Sequence, residues 1–208
     1  MSEKENIISA LRNRLPGSVS HKKMLPPNRV LQPTPKDQSR VKKSSVLLLL
    51  FEEDGLLKVL LIKRPRHMKH HPGQIALPGG RIERNESAIE TALRETYEEI
   101  GIDQQYIEIL GELSEFYVEV SRFQIKPIVG WLKSIPTLRI NPDEVEKIIL
   151  FPVENFKPPY NKIKLDTLTG KLDVPCVEFD HEIIWGATAM ILSEFYDLVF
   201  EMENKSPA

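Results

Sequence analysis

The sequence predicts an α/β fold of the α+β kind, an α/β/α sandwich in which a mixed β-sheet lies between helices. Short apolar runs typical of strands occur before, between and after two helical patterns, at 88–100 and at 185–202. Both helical patterns carry an apolar stripe, and each stripe needs a sheet face to pack against. A chain of 208 residues is long enough to build one such core with elaborations.

Composition argues against several functional classes. The chain has 28 Lys and Arg against 30 Asp and Glu, so it lacks the basic excess of a nucleic-acid binder. The apolar run Val46–Phe51 is too short to cross a bilayer. Cys176 is the single cysteine, which excludes an internal disulfide and fits a reducing compartment. The first residues lack the apolar stretch of a secretory signal, so we expect a cytoplasmic protein with no membrane or nucleic-acid partner.

The first 40 residues are predicted to form a helix followed by an arm. Residues 5–15 have apolar side chains at helical spacing. Residues 16–38 are rich in Pro and Lys and have no sustained period, so we expect an arm that lies over the domain or is partly mobile. The main domain is predicted to span 41–203.

The predicted strands fall on both sides of the helix at 88–100. Residues 44–51 and 56–63 are predicted to form a hairpin. The later strands are predicted at 106–113, 115–120, 123–132 and 145–151. Pro127 indicates an edge strand or a bulge. A helical turn at 152–156, a hairpin across Thr169–Gly170 and a closing helix at Trp185–Met202 complete the prediction. The stripe of this last helix is expected to be core: Ile184, Thr188, Ile191, Leu192, Phe195 and Val199.

The helix predicted at 88–100 has clear signals at both ends. Ser87 and Glu90 have the spacing of a capping box, and Gly101 stands where a glycine commonly ends a helix. One face of this helix carries the apolar stripe, which consists of Ile89, Ala92, Leu93, Thr96, Tyr97 and Ile100. The sequence therefore predicts an amphipathic helix that begins directly after the turn Pro78-Gly79-Gly80.

Three carboxylates lie off this stripe and indicate a metal site. Glu95, Glu98 and Glu99 fall on one turn of the helix, where like charges repel by a few tenths of a kcal/mol per pair. Mg²⁺ or Mn²⁺ would offset that repulsion, since both prefer carboxylate, carbonyl and water oxygens. Gly80 could add a carbonyl ligand. The competing interpretation is an ordinary solvated acidic face, but the turn, the spacing and the stop signal all favour metal binding.

The same residues carry a family resemblance. The spacing G-x5-E-x7-R-E-x-x-E-E-x-G-x is met by Gly80, Glu86, Arg94, Glu95, Glu98, Glu99 and Gly101. This resembles the box of the Nudix hydrolases, which cleave diphosphates linked to another moiety. Thr96 replaces the usual aliphatic residue, which we interpret as a packing variation. The resemblance implies a Nudix-type sandwich, a divalent cation, and catalytic roles for Glu98 and for Arg94, which would hold the glutamates in place.

A basic loop, Arg64–Gly73, precedes the glycine turn. Segment Leu60–Gly80 is similar to the signature L-L-x-x-R-[SA]-x3-R-x3-G-x3-F-P-G-G of the coenzyme A diphosphatase subgroup, with departures at Pro65, Lys69 and Leu77. The likeness implies substrate-binding roles for Arg64, Lys69, Gly73 and Gly79. A weaker alternative is a zinc site built from His67, His70 and His71, but no cysteine accompanies them.

The implied reaction is hydrolysis of coenzyme A, or of a derivative, to 3′,5′-ADP and 4′-phosphopantetheine. A general base is required, and the sequence offers a box glutamate, Glu115 or Glu144. Two alternatives stay open. The chain could be a Nudix diphosphatase for ADP-ribose, NADH or a dinucleoside polyphosphate, or a catalytically silent nucleotide-binding module. The intact box glutamates argue against the silent module.

Overall fold

In the computed structural model, which describes residues 2–167 and 170–201, a central sheet lies between helices on both faces. The strands of this sheet are β1 Lys42–Glu53, β2 Leu56–Lys63, β3 Ile75–Ala76, β4 Gly79–Arg81, β5 Ile107–Glu112, β6 Phe116–Val118, β7 Phe123–Leu132 and β8 Lys147–Pro152. Its main path runs β3-β2-β1-β7-β5, while β4 pairs with β1, β6 with β7 and β8 with β2. The β1–β7 pair is parallel and the others are antiparallel. The predicted mixed sheet between helices is confirmed.

Four α-helices cover the sheet in the described chain: α1 Glu3–Leu11, α2 Ser18–Met24, α3 Ala88–Ile100 and α4 Gly186–Tyr196. Short 3₁₀-helices occur at Gln38–Arg40, Gln104–Tyr106 and Val153–Asn155, and a π-helical turn at Asp197–Glu201 continues α4. No helix in the described residues is long and apolar enough to cross a membrane.

Strand β1 lies in the middle of the sheet and serves both cores. Leu47, Leu49 and Phe51 face α3, whereas Leu48 and Leu50 face the layer formed by the other three helices. All five side chains are almost completely buried. Because both faces are covered, the strand is a continuous apolar run instead of an alternating one.

The β1–β2 hairpin was predicted correctly. Its two-residue turn, Asp54–Gly55, has positive φ at both positions, 55° and 74°, as a type I′ turn requires. β1 is two residues longer than predicted at each end, because Lys42 and Lys43 pair with β7 and Glu52 and Glu53 pair with β2.

Strand β7 is not an edge strand, the first of the two alternatives that Pro127 indicated, but its pairing with β5 has the register shift of a bulge, between Ile109 and Gly111 of β5. It pairs with β1 on one side and with β5 and β6 on the other. Pro127 lies opposite the gap between β5 and β6, where its carbonyl accepts from the Leu113 N–H at 3.0 Å. The proline is tolerated because the partner strand is interrupted at the point where its missing N–H would be needed.

The last part of the chain forms a second sheet and a shorter helix than predicted. The second sheet consists of β9 Asn161–Thr167, β10 Gly170–Phe179 and β11 Glu182–Trp185. The β9–β10 pairing agrees with the predicted hairpin, although Thr169 lies outside the described residues. Ile184 belongs to β11 and not to the helix, which begins only at Gly186 because Trp185 is still extended. The predicted helix end, Met202, also lies outside the described residues.

A buried polar network attaches the N-terminal segment to α4. The Glu194 carboxylate is fully buried and contacts His21 Nε2 at 2.8 Å. It also accepts from the backbone N–H groups of Gly17 at 3.1 Å and Ser114 at 3.2 Å. Burial raises the pKa of Glu194, but the bonds from His21 and Ser114 outweigh it, so this pKa lies below its ordinary value. Helix α2, which the sequence analysis did not predict, is therefore held by specific contacts.

Candidate active site

The two ends of helix α3 are built as the sequence predicts, although Tyr97 of the predicted apolar stripe is about half exposed. The Ser87 hydroxyl accepts from the Glu90 N–H at 3.2 Å, and the Glu90 carboxylate accepts from the Ser87 N–H at 2.8 Å. Gly101 ends the helix in the left-handed conformation, with φ of 75°. Thr96 is fully buried, and its hydroxyl donates to the Ala92 carbonyl at 2.7 Å. The helix consequently has fixed ends and a fixed rotation relative to the sheet.

Three carboxylates meet between α3, the glycine turn and the loop before β8. Glu95, Glu99 and Glu144 each bring an oxygen within 4.8 Å of the others. Glu144 comes from a loop 45 residues further along the chain than Glu99. That loop is tied to the end of α3, because the Asn141 and Arg139 N–H groups donate to the Glu99 and Ile100 carbonyls, both at 2.9 Å.

Glu99 is the most deeply buried member of this carboxylate cluster, at 1% exposure. One oxygen accepts from the Gly79 N–H at 3.1 Å. The other oxygen lies 3.8 Å from Arg64 Nη1, too far for a strong charge-assisted hydrogen bond. Burial, with the neighbouring charges of Glu95 and Glu144, raises the pKa of Glu99 to about 8. A carboxylate in this environment is well suited to a cation.

Close packing against backbone requires a glycine at position 79, and the glycine at position 80 leaves room for a site carboxylate. A Cβ on Gly80 would overlap the Glu95 carboxylate, and one on Gly79 would overlap the backbone of Ser45 and Val46. The turn thus brings bare backbone against β1 on one side and against a site carboxylate on the other. The proposed carbonyl ligand role of Gly80 and the substrate role of Gly79 stay predictions.

Arg94 organises the carboxylates on the outer side of α3. Its Nε and Nη2 donate to both oxygens of Glu86 at 2.7 and 3.1 Å. Its Nη1 donates to Glu95 and to Glu98, both at 2.9 Å. The hydrogen bond from Arg94 lowers the pKa of Glu86 to about 2. Burial raises the pKa of Glu95, and Arg94 opposes that rise.

Glu98 does not join the Glu95–Glu99–Glu144 cluster. Its carboxylate is half exposed and pairs with Arg94. Adjacent helix residues differ by about 100° in direction, so Glu99 turns toward the sheet while Glu98 turns toward solvent. Sequence reasoning grouped Glu98 with Glu95 and Glu99 and treated Glu144 only as a possible base. The metal and catalytic roles of Glu98 stay predictions.

The basic loop places Arg64 beside the carboxylate cluster and leaves its lysine and its histidines exposed. Arg64 directs its guanidinium toward Glu99 and is one-fifth exposed. Lys69 is exposed, and Gly73 has a φ of 67°, which allows the loop to turn back. His67, His70 and His71 are all exposed, and His71 Nδ1 lies 2.9 Å from the Gln74 amide oxygen. Glu115 is exposed as well.

The carboxylate cluster fits a hard divalent cation. Three oxygens from separate carboxylates within 4.8 Å of one another are the donor set that Mg²⁺ and Mn²⁺ prefer. Without a cation, the burial of Glu99 and the mutual repulsion of the cluster would be poorly compensated. The arrangement can hold a metal that in turn binds phosphate oxygens.

Comparison with known proteins agrees with this geometry. The family model of the NUDIX domain matches residues 41–169. The chain belongs to the Nudix family. The chain is accordingly a hydrolase that acts on phosphorus-containing anhydrides, and Nudix hydrolases in general depend on a divalent metal.

Several curated Nudix hydrolases are similar in sequence. Nudix hydrolase 3 of Caenorhabditis elegans is 32% identical over 173 residues, 74% of this chain and 72% of that protein. The uncharacterized Nudix hydrolase NudL of Enterobacter sp. (strain 638) is 33% identical over 146 residues, 69% of this chain and 74% of that protein. Nudix hydrolase 22, chloroplastic, of Arabidopsis thaliana is 34% identical, but this chain spans only 57% of its length.

Solved structures confirm the Nudix fold. The MutT protein from Methanosarcina mazei Go1 superimposes with a TM-score of 0.52 at 20% identity, over 80% of this chain and 96% of that one. The Nudix hydrolase RenU from M. smegmatis gives a TM-score of 0.53 at 15% identity, over 80% and 88% of the two chains. At these identities the likeness concerns the fold alone.

Proposed function

We propose that this Nudix hydrolase cleaves the diphosphate of coenzyme A or its derivatives, giving 3′,5′-ADP and 4′-phosphopantetheine. One observation carries the proposal. The segment Leu60–Gly80, which is similar to the coenzyme A diphosphatase signature, leads directly into the carboxylate cluster. Its Arg64 lies 3.8 Å from Glu99, and its Gly79 N–H donates to Glu99 at 3.1 Å. Two residues of this segment thus contact a carboxylate of the proposed metal site, which supports the proposal.

Glu95, Glu99 and Glu144 would hold the Mg²⁺ or Mn²⁺ in this proposal. The bound cation would neutralise the diphosphate and lower the pKa of a bound water. Arg94 keeps Glu95 in place through a hydrogen bond and is itself held by Glu86. These hydrogen bonds matter because the affinity of a site for its metal depends on the neighbouring groups that orient the ligating side chains.

Glu144 is our preferred general base as well as a ligand: one of its oxygens would hold the cation, and the other would accept a proton from the attacking water. It belongs to the cluster by distance, and the Asn141 side-chain amide donates to its Oε1 at 3.1 Å. Glu98 is half exposed and neutralised by Arg94, and Glu115 is exposed outside the cluster. In hydrolysis the water oxygen would bond to one phosphorus while the bond from that phosphorus to the bridging oxygen breaks, so the bridging oxygen leaves with the other phosphate. The base would take one proton from the water and release it to the leaving phosphate or to solvent, and the second proton would stay with the phosphate that gains the water oxygen.

The partner we propose is a small diphosphate, not a nucleic acid or a membrane, and the location we propose is the cytoplasm. Balanced charge and the single buried Cys176 support both statements. The division into an N-terminal segment, 1–40, and a catalytic domain, 41–203, is likewise proposed, and the family match from residue 41 supports its boundary.

The decisive experiment is a substrate panel. Coenzyme A, ADP-ribose, NADH and diadenosine polyphosphates would each be assayed with Mg²⁺ and with Mn²⁺. The Glu99→Gln variant, purified in parallel, controls for contaminating hydrolases. We expect the highest kcat/KM on coenzyme A, with 3′,5′-ADP as a product. A higher kcat/KM on ADP-ribose, NADH or a dinucleotide would overturn the substrate assignment.

A further inference from the structure

The loop that carries Glu144 is held at both of its ends. Its beginning is tied to the end of α3 by the Asn141 N–H. Its end is tied to β2, because the Glu146 N–H donates to the Lys63 carbonyl at 2.7 Å and Lys147, the first residue of β8, lies opposite Lys63. Lys63 is the last residue of β2, so the basic loop and the Glu144 loop leave the sheet at the same place.

Two lysines face each other at this place. Lys63 and Lys147 are direct partners in the antiparallel β2–β8 pair, and like charges at such positions destabilise a sheet. Both ammonium groups lie 2.9 Å from the same oxygen, Oε1 of Glu182. Lys63 also pairs with Glu146, at 3.2 Å. Glu182 therefore compensates the repulsion between the two strands where their loops diverge.

Glu182 reaches this position from the second sheet. It is the first residue of β11, directly after the tight turn Asp180–His181. Both turn residues have positive φ, 49° and 61°, which side chains other than glycine seldom adopt. Before the turn, Phe179 packs edge-on against Phe151 of β8, with ring centroids 5.1 Å apart. The tip of the β10–β11 hairpin is thus fixed against β8.

The contact of Glu182 with the two lysines is more than a solvated surface pair. The side chains of Glu182 and Lys63 are only 14% and 13% exposed, so salt screens their attraction weakly. Burial raises the pKa of Glu182, but the bonds from Lys63 and Lys147 outweigh it, and this pKa lies below its ordinary value. Glu182 is consequently charged at neutral pH and holds both lysines.

We infer that Glu182 is a positioning residue for hydrolysis, which holds Lys63 and Lys147 together and so sets the spacing between the basic loop and the Glu144 loop. Glu182 acts through the placement of Glu144 and not on the reacting atoms. The inference rests on the proposed metal-site role of Glu144, but not on coenzyme A as the substrate. It gives the second sheet a part in the reaction.

The test is a Mg²⁺ titration of kcat in Glu182→Gln, on the diphosphate that wild type cleaves best. Glutamine keeps the shape and removes the charge that compensates the two lysines. Groups that orient metal ligands contribute about 10- to 100-fold, and Glu182 is one step further from the metal, so we expect the Mg²⁺ midpoint to rise about 3- to 10-fold. Glu53→Gln, which breaks the 2.7 Å pair with Lys58 near the other end of β2, is the matched control. Its midpoint should stay within about twofold of wild type, since Glu53 is largely exposed.

The double variant Glu182→Gln/Lys147→Gln tests the cause of the effect. It removes the lysine charge that Glu182→Gln leaves uncompensated. If repulsion between Lys63 and Lys147 displaces the Glu144 loop, the double variant should return the Mg²⁺ midpoint to within about twofold of wild type. A double variant as impaired as Glu182→Gln would overturn the inference.

Thermal unfolding in EDTA separates positioning from a structural role. An unchanged Mg²⁺ midpoint in Glu182→Gln, with kcat reduced only by the fraction unfolded at the assay temperature, would show that Glu182 merely stabilises the fold. A wild-type midpoint and a wild-type kcat would exclude any role in the reaction.

Glu144→Gln distinguishes failure of this inference from failure of the proposed function. A raised midpoint in Glu144→Gln, with an unchanged one in Glu182→Gln, would contradict the role of Glu182 alone. A wild-type midpoint in Glu144→Gln would overturn the metal-site role of Glu144, and the inference about Glu182 with it.

Discussion

The Asn141 backbone N–H donates to the Glu99 carbonyl at 2.9 Å and so joins the loop that carries Glu144 to the end of α3. The Asn141 side chain also fixes Glu144, since its amide donates to Oε1 at 3.1 Å. One residue thereby connects two members of the carboxylate cluster.

Asn141→Ala should weaken metal binding without unfolding the protein. The backbone bond to Glu99 persists, but Glu144 loses the amide that orients it. Loss of such a supporting bond typically costs 10- to 100-fold in metal affinity or activity, and we expect the lower end of that range. A Mg²⁺ titration of kcat measures the effect. Asp143→Ala, which changes an exposed side chain in the same turn, should leave the midpoint of the Mg²⁺ titration unchanged. Equal effects of the two variants would contradict the role of Asn141 in orienting Glu144.

Glu86→Gln should reduce stability near neutral pH but not in acid. The pKa of Glu86 is lowered to about 2 by Arg94, whereas its unfolded value is near 4.5. A depressed carboxyl pKa stabilises the folded state above about pH 4.5, and this contribution disappears as the pH falls toward 2. We expect the free energy of unfolding, measured in urea at pH 7, to be about 1–2 kcal/mol higher for wild type than for Glu86→Gln. The difference should shrink by pH 3, and a constant difference would refute the ion-pair explanation.

His21→Ala should destabilise the fold while leaving turnover intact. The change removes the side-chain partner of the fully buried Glu194 carboxylate. Leaving a buried charge short of a partner costs roughly 3 kcal/mol. Thermal unfolding tests this, with Lys22→Ala as an exposed control in the same helix. If His21→Ala unfolds at the wild-type temperature, α2 does not hold the domain together as described.

Lys69→Ala should affect coenzyme A more than 3′-dephospho-coenzyme A. Lys69 is exposed in the basic loop, and coenzyme A has a 3′-phosphate that ADP-ribose and NADH lack. A lysine–phosphate contact in a partly dry cleft contributes about 1.5–3 kcal/mol, or roughly 10- to 100-fold in kcat/KM. General attraction to an anion would instead give equal, salt-sensitive losses on both substrates. The ratio of kcat/KM between the two substrates distinguishes these cases.

Local signals explain what the sequence predicted well. The limits of α3 follow from Ser87, Glu90 and Gly101, each of which acts within one helical turn. The β1–β2 hairpin follows from Asp54–Gly55 in the same way. These features depend on residues close in sequence, so a pattern along the chain is sufficient to find them.

Contacts between distant residues explain what the sequence did not predict. Helix α2 is only seven residues long, has no side-chain cap and depends on partners more than 170 residues away, including Glu194. The assembly of Glu144 with Glu95 and Glu99 depends on the Asn141 bond at the end of α3, which has no periodic signal. Glu98 shared the helical turn of its neighbours, but Arg94 and solvent hold it outside the cluster.

Turnover by Glu99→Gln tests the central claim, that buried carboxylates hold the metal for hydrolysis. Glutamine keeps the shape and can still accept from the Gly79 N–H, but it removes the charge. We expect kcat at saturating Mg²⁺ to fall at least ~100-fold. The pKa of Glu99 in the folded protein is raised to about 8, so ionisation of this buried group lowers the stability of the metal-free fold as the pH rises from 4.5 through 8. Glutamine does not ionise. The variant should therefore be no less stable than wild type in EDTA at pH 8. A stable Glu99→Gln variant with near-normal turnover would contradict the account.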